Sequence, residues 1–297
     1  MAALVASSSA ATDSLQEQIH ADFKAGRAAE AVTLLQQEAA KGNPEAQYGL
    51  GILYDKGLPE AKIPQDESQA FHWYSLSAQN GYAPSQNNLG FLYYTGRGAA
   101  KSDADAFHWY EKAAQQGNAM AQYNLGAMYF HGQGTKKDLA KAFELYKQSA
   151  EQGNVTAENN LGYLYEHGLG VHRDFKEAVH WYERAAKSGE DYAQRNLGEM
   201  YEHGVGAHRN YKHALTWYKK AAEQGHAHAQ MKLGKLYEHG WGTTKDLVEA
   251  YAWYWVATEG GNAKAKEALA HLTPQLSTAQ VTEARDRASH FVIKKQS

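Results

Sequence analysis

Leucine and tyrosine recur four residues apart along most of the chain: Leu50 and Tyr54, Leu89 and Tyr93, Leu125 and Tyr129, Leu161 and Tyr165, Leu197 and Tyr201, Leu233 and Tyr237. That spacing puts both side chains on one face of an α-helix. The pairs repeat every 36 residues, after a first interval of 39. A glycine follows every leucine (Gly51, Gly90, Gly126, Gly162, Gly198, Gly234), and a mid-helix glycine costs about 1 kcal/mol against alanine. Tight packing has to offset that cost, so a neighbouring helix backbone is expected to come close there. A second glycine three residues after each tyrosine, from Gly57 to Gly240, marks the C-terminus of this first helix, A.

The other half of the unit also repeats. Trp-Tyr pairs occur at Trp73-Tyr74, Trp109-Tyr110, Trp181-Tyr182, Trp217-Tyr218 and Trp253-Tyr254, with Leu145-Tyr146 the one departure. A closing glycine stands seven residues beyond each tyrosine, at Gly81, Gly117, Gly153, Gly189, Gly225 and Gly261. Before each pair comes an N-cap residue: Asp66, Ser102, Asp138, Asp174, Asn210 or Asp246. Asp66 with Gln69, Asp174 with Glu177 and Asp246 with Glu249 have capping-box spacing. The pattern predicts helix A, a glycine-containing loop and helix B in every unit. One such hairpin cannot bury both apolar faces, so the units must stack.

The resulting division is a tail at 1–13, a divergent helix pair at 14–43, and repeats at 44–81, 82–117, 118–153, 154–189, 190–225 and 226–262, with a helical cap at 263–297. Capping-box spacing at Asp13 and Gln16 opens the divergent pair, which turns at Gly26. In the cap, Ala265 continues the alanine column of Ala121, Ala157, Ala193 and Ala229 into a further A-type helix, and Thr273-Pro274 starts a last one. Its residues Glu283, Arg285, Asp286, Arg287, Lys294 and Lys295 suit a solvated surface. The three extra residues of the first interval fall in a loop containing Pro59 and Pro64.

Composition narrows the chemistry. A net charge of -3 provides no basic field for phosphate backbones, so nucleic acid is not an expected partner. The absence of cysteine excludes disulfides, thiolate zinc sites and a cysteine nucleophile. No apolar run approaches the roughly 20 residues needed to span a bilayer, so direct membrane insertion is not expected. Small residues at the start, with Ser8-Ser9-Ala10, fit either an Ala/Ser tail or the remnant of an export signal. The second alternative places the protein in the periplasm or outside the cell, the first in the cytoplasm.

The pattern A-x-x-x-L-G-x-x-Y-x-x-G-x-G, an aspartate, then A-x-x-W-Y-x-x-A-A-x-x-G, carried almost completely by residues 157–189, resembles the Sel-one-like repeat (SLR) family, relatives of tetratricopeptide repeats. The resemblance extends over about 44–262. It implies an all-α fold, a right-handed α/α superhelix or solenoid of helix-turn-helix repeats with the A helices on its concave face. It also implies a scaffold or adaptor that holds a protein or peptide. The alternatives are a cell-wall or β-lactam-related hydrolase and a structural subunit of a larger assembly. Hydrolase signatures S-x-x-K, S-D-N and K-T-G are absent, so no catalytic residue is expected.

Specificity is expected on helix A. Asn88, Asn124, Asn160 and Asn196 precede the leucine, with Gly49 and Lys232 in the end units. In tetratricopeptide relatives the similar position contacts ligand peptides, and an amide can pair with an extended backbone. The other reading has these asparagines bonding a neighbouring helix and setting repeat geometry. Tyr123, Asn159, Arg195 and Met231 (two before the leucine), Phe91, Tyr163, Glu199 and Lys235 (two after) and Tyr94, Phe130, Glu166, Glu202 and Glu238 (five after) share this groove. For the glutamates a solvated face is the competing expectation. His131, His167, His203 and His239 form a column, but equivalent positions on stacked helices lie ~10 Å apart, whereas zinc ligands lie ~2 Å from one ion. His226 and His228 are only a weak pair. No metal or cofactor is expected, and the Gly-x-Gly pairs read as connectors.

Overall fold

A computed structural model describes residues 10–293. Residues 1–9, and with them most of the expected tail, lie outside the described residues, as do Lys294 and Lys295 and the side chains of Asp13 and Gln16. Among the described residues the protein is all-α, with sixteen α-helices and a single isolated bridge between Leu58 and Ile63. The divergent pair is α1 (Ala10–Lys24) and α2 (Ala28–Ala40). The A helices follow as α3 (Pro44–Lys56), α5 (Ala83–Thr95), α7 (Ala119–His131), α9 (Val155–His167), α11 (Asp191–His203) and α13 (Ala227–His239). The B helices are α4 (Glu67–Gln79), α6 (Asp103–Gln115), α8 (Leu139–Glu151), α10 (Phe175–Lys187), α12 (Tyr211–Glu223) and α14 (Leu247–Glu259). All twelve have 13 residues, about 20 Å of helix, so every repeat presents equal edges for stacking.

Helix ends follow the sequence with one substitution of partner. The side chains of Asp66, Ser102, Asp138, Asp174, Asn210 and Asp246 all accept backbone N–H bonds at the start of helix B. The return half of the expected capping box is replaced: the N–H of Asp174 donates to Tyr165 O at 3.0 Å and that of Asp246 to Tyr237 O at 3.0 Å. The tyrosine of helix A thereby ties its own carbonyl to the next helix, leaving Glu177 and Glu249 for other work. Helix A is capped by a side chain in five of the six repeats, by Asn43, Asn118, Asn154, Glu190 and His226, and Asn262 caps the helix that follows them; Tyr82, after Gly81, gives α5 no side-chain cap. Gly204 ends α11 at φ 69°, ψ 37°, a left-handed cap open to glycine at little cost.

The chain divides into two compact units, Met1–Ser149 and Ala150–Ser297, with the division inside α8. In each, consecutive helices pack on one another as in a solenoid. The glycine beside each leucine meets chiefly a ring rather than a backbone. A Cβ on Gly90 would stand 2.8 Å from the Tyr110 ring, and one on Gly198 2.6 Å from that of Tyr218. The B-helix tyrosines Tyr74, Tyr182, Tyr218 and Tyr254 are almost wholly buried on this column. Backbone approach is the lesser part, with Ala106 O 3.2 Å from the Gly90 position.

The C-terminal end departs from expectation. Thr273–Gln275 is a single 3₁₀ turn, and the last helix, α16 (Thr278–Ile293), starts later, after α15 (Ala263–Leu272). Ser277 and Gln280 form the reciprocal capping box there, Ser277 N donating to Gln280 Oε1 at 3.0 Å and Gln280 N to Ser277 Oγ at 3.3 Å. Proline's fixed φ suits the turn, and this stronger pair starts the helix four residues on. Glu283, Arg285 and Asp286 are exposed, but Arg287 reaches across to Glu249 at 2.9 Å.

Candidate functional site

Helix A offers a stripe at the fifth and second residues before the leucine and the second and fifth after it, an i, i+3, i+7, i+10 series on one face. The large apolar side chains most open to solvent among the described residues all lie on A helices at the first or third of these positions. In the first unit they are Met120 on α7 and Phe91 on α5, 51% and 45% exposed. In the second they are Tyr192 on α11 and Tyr163 on α9, 56% and 41% exposed. Sequence reasoning named Phe91 and Tyr163 but missed Met120 and Tyr192. Their seven-residue spacing from the named position would have found them.

Polar residues on and beside the stripe in the first unit are drawn into contacts within and between repeats. Asn124 Nδ2 donates to Asn87 Oδ1 at 2.9 Å, and Asn87 Nδ2 to Asn88 Oδ1 at 3.3 Å. Burial pushes the phenols of Tyr48 and Tyr74 up, and the Asn88 amide beside them opposes the shift. Tyr94 meets Gln133 of the next repeat at 3.2 Å, under the Lys101 ammonium. Tyr123 lies 5.7 Å from the Tyr146 ring, and Phe130 packs against His131 with Lys137 above it.

In the second unit Asn160 is half-buried, and Asn196 Nδ2 donates to Asn159 Oδ1 at 3.0 Å, the same bond as Asn124 makes. Tyr163 stacks on His167 at 4.2 Å. Arg195, Glu199, His228, Lys232 and Glu202 form a continuous network of ion pairs and hydrogen bonds. Glu199 binds Arg195 at 2.9 Å and His228 at 3.1 Å, while Lys232 reaches Glu202 at 3.0 Å. Burial drives the Glu199 carboxyl upward, but the His228 hydrogen bond and the Arg195 and Lys232 charges outweigh it and hold it at about 2.

The glutamates five after the leucine each accept a hydrogen bond from helix B of their own repeat. Tyr182, Tyr218 and Tyr254 donate their hydroxyls to Glu166, Glu202 and Glu238 at 2.7, 2.6 and 2.6 Å. A buried phenol needs an acceptor, and helix A of the same repeat supplies it. The sequence signal was a glutamate 16 residues before the tyrosine in the last three repeats. His226 caps α13 through Nδ1 while His228 faces Glu199, so the two do not converge. Among the described residues no three histidine or carboxylate side chains are grouped to hold a metal ion, and no helix is long and apolar enough to cross a membrane. The Gly-x-Gly connectors press on the preceding repeat: a Cβ on Gly134 or Gly206 would strike the carbonyl of Asp103 or Phe175.

The family model for the Sel1 repeat matches residues 44–82, 83–118, 119–154, 155–190, 191–226 and 227–262. A protective antigen of uropathogenic Escherichia coli displaying an SLR fold is similar in structure, with a TM-score of 0.80 and 32% identity over 96% of this chain and 63% of that one. A Sel1 repeat protein from Oxalobacter formigenes has a TM-score of 0.72 and 34% identity over 81% of this chain and 95% of its own. The ERAD-associated E3 ubiquitin-protein ligase component HRD3A of Arabidopsis thaliana is 34% identical over 65 residues. The chain thus spans less than two thirds of the E. coli chain, and the matched segment is 9% of the plant protein.

Proposed function

From a chain that belongs to the Sel1 repeat family, we propose a protein-interaction scaffold that holds a peptide or protein partner on the helix-A stripe. The observation that carries this reading is the placement of Phe91, Met120, Tyr163 and Tyr192, solvent-open rings and thioether confined to A helices. Large apolar side chains left in water on one kind of helix, while the B-helix tyrosines are buried, are the anchors an interface uses. Around them Asn88, Asn124, Asn160 and Asn196 bring amides, and Tyr94, Tyr123, Phe130 and Arg195 bring rings and a guanidinium. Asn124 and Asn196 each spend one N–H on the preceding repeat and keep a second N–H and a carbonyl oxygen with which an amide can bond.

The test is capture from the lysate of the native host by the intact chain and by a variant carrying Phe91→Ser, Met120→Ser, Tyr163→Ser and Tyr192→Ser. Partners identified by mass spectrometry with the parent are expected to be lost with the variant, whose thermal midpoint stays within a few degrees. Undiminished capture by the folded variant moves binding off the helix-A stripe.

A further inference from the structure

Leu145 replaces the tryptophan that every other repeat carries on helix B. In four of those repeats the indole lies over the preceding B-type helix and its own A helix. Trp109 packs on the cluster containing Ala78 and Leu89, Trp217 on that containing Ala186 and Leu197, and Trp253 belongs to that containing Ala222 and Leu233. The same two columns in the third repeat are Ala114 and Leu125. Both line an open cavity of about 440 Å³, together with Tyr129 and Leu145 itself. That volume falls in the ~300–1,000 Å³ range of ligand pockets. The cavity thus stands where the array elsewhere places its own indole.

A second change accompanies the first. Three residues beyond the tryptophan, Lys112, Arg184 and Lys220 hold a cation over Trp109, Trp181 and Trp217 at 4.7, 4.6 and 4.4 Å. In the third repeat that position is Gln148, so no cation stands there; the first and sixth repeats, with Leu76 and Val256, keep the tryptophan without one. The rim is acidic: Glu111, Asp138 and Glu144 face one cation, Lys141, which lies 4.0 Å from Asp138 and over the Tyr129 ring. Three carboxylates against one ammonium leave two negative charges in excess.

We propose that this slot on the helix-B side of the third repeat takes an aromatic side chain of a partner peptide that carries a basic residue beside it. The ring fills the space over Ala114 and Leu125 that tryptophan fills in the other repeats. The cation meets Glu111 and Glu144, neither of which forms an ion pair among the described residues. Leu125 and Tyr129 are core-facing positions of α7, so the slot is separate from the helix-A stripe and does not depend on it.

The probe is a synthetic helical peptide with one tryptophan and a lysine three residues after it, titrated into the full chain by calorimetry. Saturable binding is expected. Loss should exceed tenfold when the peptide tryptophan becomes alanine, and also when Leu145→Trp fills the slot from within. Leu145→Trp should keep or raise the thermal midpoint. Should that variant misfold, Glu111→Lys with Glu144→Lys weakens binding by the same order through charge alone. Phe91→Ser with Tyr163→Ser should leave the affinity unchanged, which separates this slot from the proposed scaffold face. No binding at millimolar peptide, equal binding by folded Leu145→Trp, or equal affinity for free indole would each overturn the proposal.

Discussion

Gly198 and Gly189 separate two reasons for keeping a glycine. At Gly198 an added Cβ would lie 2.6 Å from the ring of Tyr218, which is wholly buried and cannot yield. Gly198→Ala is therefore expected to cost ~1–3 kcal/mol as overpacking, read as a lower urea midpoint. At Gly189 a Cβ meets nothing within 4 Å, and only its φ of 96° is strained. Gly189→Ala should cost less, about 1 kcal/mol. Equal losses would mean that the Tyr218 ring moves aside. Glu199 makes a different prediction. Its folded value, about 2, is below its ordinary 4.5, so its ionised form favours the fold above pH 4.5 and that stabilisation drains away as pH falls toward 2. Glu199→Gln should flatten stability against pH across that window and lower it at pH 7. An unchanged acid limb would place the acid sensitivity on other groups.

The helix ends were mostly legible in sequence, because a cap is a local bond between neighbours in the chain. Asp174 accepts from Lys176 N at 2.9 Å and Glu177 N at 3.2 Å. Asp174→Ala should cost ~1 kcal/mol, while Asp174→Asn should be nearly neutral; denaturant melts distinguish them. Where the sequence reading slipped, a competing partner won, once from the preceding helix and once from a better-bonded local pair. The return bond of the capping box lost to a tyrosine carbonyl nine residues earlier, as in Asp174 N to Tyr165 O. Thr273-Pro274 lost the last helix to Ser277 and Gln280, whose two reciprocal bonds satisfy more of the helix start than a proline does.

At the scale of the whole molecule, α15 and α16 rather than a seventh Sel1 repeat follow the sixth one, and α14 differs accordingly. Val248, Tyr251, Trp253, Tyr254 and Val256 are all buried on this one helix. Helix α16 lies against it, with Phe291 stacked on Trp253 at 4.0 Å and Arg287 bound to Glu249. Stacked repeats are stabilised by their neighbours, so the exposed end must be closed. Truncation after Gln275 should cost roughly 3 kcal/mol or more, since each large apolar side chain returned to water loses ~1.5–3 kcal/mol. The readouts are a lower thermal midpoint and binding of an apolar dye; a midpoint equal to the parent's would show that α14 needs no cover.

The sequence by itself determined the repeating unit, the number and kind of helices and most of their caps. These rest on spacings of three, four and seven residues and on a period repeated six times. It also marked Leu145 as the odd position. Only the tertiary structure decided what each helix-A side chain touches. Asn196 finds Asn159 at a separation of 37 residues, Lys232 finds Glu202 at 30 and Tyr218 finds Glu202 at 16. Those partners stand on neighbouring helices, and which of two adjacent polar positions faces them depends on how the helices are rotated against each other. Buried tyrosines claimed Glu166, Glu202 and Glu238 because a phenol out of water must hydrogen-bond. The space beside Leu145 is a cavity because leucine is smaller than the indole that stands at this position in the other repeats.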